Sequence, residues 1–179
     1  MIPFRDFDVP ERNLAPTCVL DRRSPVSEAK EPRPGAAGPG RPTPVHLWIV
    51  GVLALLWNGF GAYDYLMIQT GNAAYTAELT AEQLAYYEGF PVWATSVWAI
   101  AIWGAVLGSV LLLLRKKLAE PVFLVALIAL LVNTVRTSVS GAWELMGGSQ
   151  MIAFSAVIVV VAVFLWLYAR AMRVRGVLQ

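Results

Sequence analysis

Four long apolar stretches follow one another along the chain from residue 45 onward. They cover approximately residues 45–67, 92–114, 121–140 and 151–172. A membrane helix needs roughly 20 residues at 1.5 Å per residue to cross about 30 Å of hydrocarbon. The third stretch begins with Pro121, which a first helical turn tolerates because the N–H that it lacks has no partner there. The pattern predicts an all-α membrane fold, a four-transmembrane-helix bundle over residues 45–179.

Residues 1–44 have a different composition. They hold nine of the eleven prolines, and seven basic residues alternate with six acidic ones without sustained apolar periodicity. Such a segment buries too little apolar area to offset its conformational entropy. It also lacks the apolar run of a signal peptide. We expect a disordered Pro-rich tail, the alternative being that the protein starts near Val45.

The positions of the lysines and arginines predict the orientation. Apart from Arg136, they lie in the tail, in the turn after the second stretch (residues 115–117) or at the end of the fourth (residues 170–175). The segment between the first two stretches contains glutamates and no basic residue. Basic residues concentrate on the cytoplasmic side of membrane proteins. Both termini are therefore predicted to be cytoplasmic.

Composition and charge exclude several classes of protein. The chain is 58% hydrophobic and 15% charged, whereas a soluble domain has about 25% charged residues. No lysine or arginine lies between Arg41 and Arg115, which excludes a nucleic-acid binder because phosphate binding needs a basic stripe. The single cysteine, Cys18, excludes an internal disulfide. The single histidine, His46, leaves little basis for a metal site or imidazole catalysis. We expect no metal, no cofactor and no enzymatic activity.

The segment between the first two stretches contains a helix signal. Thr80 followed by Gln83 is a capping-box pattern, which predicts a short helix over residues 81–88. The segment also carries aromatic residues beside carboxylates, namely Tyr75, Tyr86, Tyr87, Phe90, Glu78, Glu82 and Glu88. These side chains could bind a sugar or a cation. An aromatic belt with a surface helix explains the same residues without a ligand.

Two charged residues fall within the apolar stretches. Asp64 lies toward the outer end of the first and Arg136 toward the outer end of the third, at similar depth. A charge at mid-membrane costs roughly 2.5–3.5 kcal/mol on insertion scales. We hypothesise that the two form an interhelical ion pair. The alternative is that each side chain extends to the outer headgroups.

Two asparagines lie deeper in the same two helices. Asn58 and Asn133, with Asp64 and Arg136, could line a polar cavity that opens outward and binds a solute. The alternative is interhelical hydrogen bonding, worth about 0.6 kcal/mol on average.

The second stretch contains a G-x-x-x-G pattern at Gly104 and Gly108. Small residues at this spacing allow two membrane helices to approach closely. The pattern fits packing inside the bundle or a homodimer.

The block Trp57–Thr70, which reads WNGFGAYDYLMIQT, is distinctive, and it is followed by NAAY at residues 72–75. Over residues 47–139 the chain resembles a family of small four-span proteobacterial inner-membrane proteins, some of which are labelled sugar transporters. The resemblance implies a bacterial inner-membrane location and points to Asn58, Asp64 and Tyr65. Arg136 lies outside the family pattern.

Three functions follow as hypotheses. The chain is a structural or accessory membrane protein, or it binds or transports a small solute such as a sugar. A membrane enzyme is the third and weakest. A polar cavity would favour solute binding, and dry packing of the polar residues would favour the structural role.

Overall fold

A computed structural model describes residues 44–179, so residues 1–43 of the predicted tail lie outside the described part. The helices are α1 (Val45–Gln69), α2 (Ala73–Thr76), α3 (Ala81–Glu88), α4 (Val92–Leu113), α5 (Ala119–Val139) and α6 (Ser149–Val174). The helices α1, α4, α5 and α6 are each long and apolar enough to cross a membrane. The predicted all-α fold with four spans is confirmed, and it fits a multi-pass membrane protein.

Local signals set the helix starts. Extended prolines, Pro44 and Pro91, precede α1 and α4. The predicted capping box is present at α3, where Thr80 Oγ1 accepts the Gln83 N–H at 3.2 Å and Gln83 Oε1 accepts the Thr80 N–H at 3.0 Å. These reciprocal bonds satisfy two backbone donors that a helix start leaves free. They explain why a helix of eight residues forms outside the spans.

Helix α4 lies between α1 and α5, and α5 packs in turn against α6. Small residues allow these close approaches. A Cβ atom added at Gly104 would lie 3.1 Å from the Ala126 Cβ, and one at Gly108 would lie 2.8 Å from the Phe123 ring. The G-x-x-x-G pattern therefore packs α4 against α5 within one chain. The homodimer that the same spacing also allows stays a prediction.

The ends of the bundle differ in charge. The end that holds α2, α3 and the α5–α6 loop carries Asp64, Glu78, Glu82, Glu88 and Glu144, with one basic residue, Arg136; we call it the acidic end. Among residues 44–179, the opposite end carries one acidic side chain, Glu120, and the basic residues Arg115, Lys116, Lys117, Arg170, Arg173 and Arg175; we call it the basic end.

The most continuous apolar core lies toward the basic end. It consists of Leu47, Ala54, Leu112, Ala119, Phe123, Leu165, Ala169, Met172, Val177 and Leu178. After α6 the chain turns at Gly176, whose φ of +71° suits glycine. It then returns to the α4–α5 turn, where Leu178 is only 1% exposed. The Gln179 N–H donates to the Arg115 carbonyl at 2.7 Å, and the Lys117 N–H donates to the Gln179 carbonyl at 3.0 Å.

Helix α6 is packed unevenly along its length. Its buried residues, Leu165, Ala169 and Met172, all lie in the half nearer the basic end. There a hydrogen bond of 2.5 Å joins His46 Nδ1 of α1 to the Tyr168 hydroxyl of α6. Farther along, the rings of Trp57 and Phe154 meet at 6.4 Å. The α1–α6 seam is thus formed by large side chains rather than by close backbone contact.

Candidate functional site

Asn58 lies at the centre of the bundle. Its Nδ2 donates to Ser109 Oγ at 2.9 Å and to the Ala105 carbonyl at 3.4 Å, both on α4. Ser109 is fully buried and donates in turn to the same carbonyl. Beside Asn58 is a cavity of about 60 Å³, lined almost entirely by apolar side chains of all four long helices. Because ligand pockets usually enclose about 300–1,000 Å³, this space is far too small for a sugar.

An aromatic cluster closes the acidic end of the bundle. We call it the aromatic cap, and its members are Tyr65, Tyr86, Tyr87, Phe90 and Trp98. The Trp98 ring meets Tyr65 edge-on at 4.9 Å and stacks on Tyr87 at 5.7 Å. Phe90 meets Tyr86 edge-on at 5.0 Å and Tyr87 at 5.6 Å. Such geometries stabilise aromatic pairs by about 0.5–1.5 kcal/mol each beyond their burial. The cap joins α1, α3 and α4.

Arg136 of α5 enters this cap from the other side. Its guanidinium lies 3.9 Å from the Phe90 ring centroid and 5.4 Å from that of Tyr86. One of its nitrogens also donates to the Tyr86 hydroxyl at 3.1 Å. A cation over aromatic faces gains about 0.5–1 kcal/mol at exposed sites and about 2 kcal/mol when desolvated, and Arg136 is half-buried. The chain's own arginine therefore fills the place that an external cation would take.

Asp64 of α1 interacts with the connecting segment. Its carboxylate accepts a hydrogen bond from the hydroxyl of Tyr75, in α2. This bond, with some burial, raises the pKa of Tyr75 to about 12. Burial first, and then the charge of Asp64, raises the pKa of Tyr87 to about 12. Both phenols thus remain neutral at physiological pH, and Tyr75 remains a hydrogen-bond donor.

The predicted ion pair between Asp64 and Arg136 is wrong. Within residues 44–179 each charge has a different partner, Tyr75 for the carboxylate and the aromatic cap for the guanidinium. The physical reason is the order of the helices, because α4 lies between α1 and α5. Equal depth in the membrane did not make the two side chains neighbours.

Helix α3 also contacts the end of α5 and the α5–α6 loop. Gln83 Nε2 donates to the Leu145 carbonyl in the α5–α6 loop at 2.9 Å, and the Tyr86 and Ser140 hydroxyls lie 3.4 Å apart. Together with the rings of the cap, these bonds place α3 across the acidic end. Glu82 and Glu88 are exposed.

The predicted site residues do not form one cavity. Tyr65 and Arg136 meet the same aromatic cap, and Asp64 lies close enough to affect Tyr87. Asn58 belongs to the central contact with α4. The Asn133 Nδ2 is buried without a hydrogen-bond partner among the described residues, and Asn133 does not line the central cavity.

Two contributors were missed from the sequence. Trp98 lies at the centre of the cap, but nothing in the sequence distinguishes it from the other two tryptophans of α4. Ser109 was missed because its role depends on the side of α4 that faces α1. There its hydroxyl accepts a hydrogen bond from Asn58. In the part of the chain that the structure describes, no three His, Cys, Asp or Glu side chains group together to hold a metal.

Comparison of the chain with models of protein families, with curated proteins and with solved structures found no match. The resemblance to the four-span inner-membrane family stays a prediction.

Proposed function

We propose that this chain is a structural or accessory protein of a membrane, with polar residues that specify the packing of its own helices. The observation that carries the proposal is the central contact, in which Asn58 bonds directly to Ser109 beside a mostly apolar cavity of only about 60 Å³. A polar side chain facing apolar surroundings is costly unless it is hydrogen-bonded. Asn58 and Ser109 therefore favour one register between α1 and α4.

The acidic end supports the same proposal. The Asp64 carboxylate is hydrogen-bonded to Tyr75, and the Arg136 guanidinium packs against the aromatic cap. A solute would have to displace these internal partners before it could bind. Solute transport, the alternative, has no comparable observation in its favour.

The proposed location is the bacterial inner membrane. The start of α1 and the end of α6 both lie on the cytoplasmic side in this proposal. Its support is the basic end, where the start of α1 and the end of α6 lie together beside six basic residues. Basic residues near span ends favour the cytoplasmic side.

Thermal unfolding of the purified full-length chain in a mild detergent tests the structural role. Asn58→Leu and Ser109→Ala should each lower the midpoint of unfolding. The double variant should be only slightly less stable than the less stable of the two single variants. The coupling should be about 0.6–1.7 kcal/mol, the range of interhelical hydrogen bonds in membranes. Gly59→Ala is the matched control, because a Cβ atom there would meet nothing within 4 Å.

The same measurement is repeated with a panel of sugars, amino acids and monovalent cations. The structural role predicts that no compound raises the midpoint of the wild-type chain. A compound that raises it by several degrees, and has no effect on Asn58→Leu, would show preferential binding to the folded state. That result would overturn the structural role in favour of solute binding.

A further inference from the structure

The basic end brings together two segments that are distant in sequence. Gln179 exchanges hydrogen bonds through both of its backbone groups with residues 115 and 117, and Val177 and Leu178 are buried beneath this contact. The α4–α5 turn and the chain that follows α6 are thus held side by side. Their basic side chains share one small surface.

Among residues 44–179, this surface has an excess of positive charge. Leaving aside the first and last of its arginines, four cations lie near one described acidic side chain, Glu120; they are Lys116, Lys117, Arg170 and Arg173. Arg173 donates to Glu120 Oε2 at 2.7 Å, yet half of the Arg173 side chain stays exposed. Lys116 and Lys117 are exposed. One carboxylate cannot neutralise these four cations, so the described surface attracts anions.

Exposed apolar side chains lie among these cations. Leu114 is 59% exposed, Leu118 is 63% exposed and Val174 is 81% exposed, and each is next to a basic residue or within two positions of one. They stand where the apolar helices α4 and α6 end and α5 begins, which is where a spanning helix meets the headgroups. A free phosphate ion gains nothing from apolar side chains, whereas a phospholipid presents phosphate and acyl chain together.

We propose that the basic end binds the phosphate headgroups of anionic membrane lipids through Lys116, Lys117, Arg170 and Arg173. The shared chemistry is phosphate held by several cations, which form charge-assisted hydrogen bonds to its oxygens. The adjacent leucines and valine contact the acyl chains. The site is independent of the structural role proposed above, since it uses none of the residues that carry that proposal.

The test measures thermal unfolding of the delipidated full-length chain in nonionic detergent. Phosphatidylglycerol, phosphatidylcholine with the same acyl chains, and inorganic phosphate are each titrated at matched concentrations. We expect phosphatidylglycerol to raise the midpoint by about 3 °C or more beyond phosphatidylcholine. Inorganic phosphate alone should have no such effect.

Lys116→Gln/Lys117→Gln is the decisive variant. Each cation near an anionic surface contributes enough that the loss of two should weaken phosphatidylglycerol binding roughly 30-fold. Lys116→Arg/Lys117→Arg keeps the charge and should bind as the wild type does. Glu82→Gln/Glu88→Gln, which changes two exposed charges at the acidic end, is the matched control and should leave the affinity unchanged.

Three results would overturn the proposal. Equal shifts with phosphatidylcholine would show that headgroup charge does not matter. An equal shift with inorganic phosphate would show a site for free anions rather than lipid. Full binding by the folded Lys116→Gln/Lys117→Gln variant would show that phosphatidylglycerol binds elsewhere.

Discussion

At the acidic end charged side chains lie against phenols and aromatic rings, whereas at the basic end they lie at the rim of a packed apolar core. Arg136 has the faces of Phe90 and Tyr86 and the hydroxyl of Tyr86. Arg173 has a carboxylate, Glu120, and much exposed surface. The difference shows that a charge within an apolar span need not be matched by an opposite charge. Aromatic rings and neutral hydroxyls can stabilise such a charge. For Arg136 they come from the segment that connects α1 and α4 rather than from a neighbouring span.

The largest expected effect is at the core near the basic end. Phe123 is 3% exposed and fills the space beside Gly108. Phe123→Ala should lower the free energy of unfolding by about 3–5 kcal/mol, because the cavity that it leaves is enclosed by close-packed helices. Phe154→Ala, at a ring that is 50% exposed, is the control. Chemical unfolding of the two variants checks this, and an equal loss for both would remove the distinction between core and periphery.

The aromatic cap should give the next largest effect. Arg136→Met keeps most of the side chain's length but removes the charge over Phe90 and the bond to Tyr86. We expect a loss of about 2 kcal/mol in stability, measured by unfolding in detergent. Tyr86→Phe, which removes the hydroxyl but keeps the ring, should cost about 1 kcal/mol.

The charge-swapped variant Asp64→Arg/Arg136→Asp separates the cap from an ion pair. Because the two residues have different partners, the double variant should be no more stable than the worse single variant. Recovery of wild-type stability would restore the ion-pair hypothesis and contradict the arrangement described above.

Alkaline pH provides a weaker but specific probe of the acidic end. Tyr75 and Tyr87 ionise near pH 10 when unfolded and near pH 12 when folded. Their folded pKa is raised, so the stabilisation from these neutral phenols is complete below pH 10 and is lost as the pH rises from 10 to 12. Absorbance of tyrosinate against pH measures the transition. In Asp64→Asn, Tyr75 should ionise at lower pH, whereas Tyr87, raised mainly by burial, should change less.

The smallest effect is expected for the exposed ion pair at the basic end. Arg173→Gln should change the free energy of unfolding by less than about 1 kcal/mol, because water screens the pair and already solvates half of the arginine. Unfolding in low and high salt measures it, and wild type and variant should converge at high salt. A loss as large as that for Arg136→Met would make the two ends equivalent.

The helices themselves were predictable, because their signals are local. Predicted and observed spans agree within about two residues at each boundary, and the capping box at Thr80 and Gln83 formed as expected. Hydrophobic length and capping chemistry depend only on neighbours in sequence. Even the unpredicted helix α2 had a local signal, since Asn72 Oδ1 accepts the Tyr75 N–H at its start.

The site was less predictable, because its partners depend on which helices are adjacent. Depth along a span can be counted from the sequence, but the direction around the bundle cannot. That is why Asp64 and Arg136 were assigned to one another although α4 lies between their helices. The role of Trp98 and the return of Leu178 to the core depend on the same missing information.

The four spans differ in length. At 1.5 Å per residue, the 21 residues of α5 extend about 32 Å and the 26 residues of α6 about 39 Å. A hydrocarbon layer about 30 Å thick accommodates α5 upright, whereas α6 must tilt or project. The bonds of Tyr168 and Arg173 hold α6 at the basic end, and its buried residues lie in that half. A change in bilayer thickness would therefore change the tilt of the half of α6 that carries Phe154, and with it the contact between Phe154 and Trp57. The α1–α6 seam is thus the part of the bundle most responsive to the surrounding lipid.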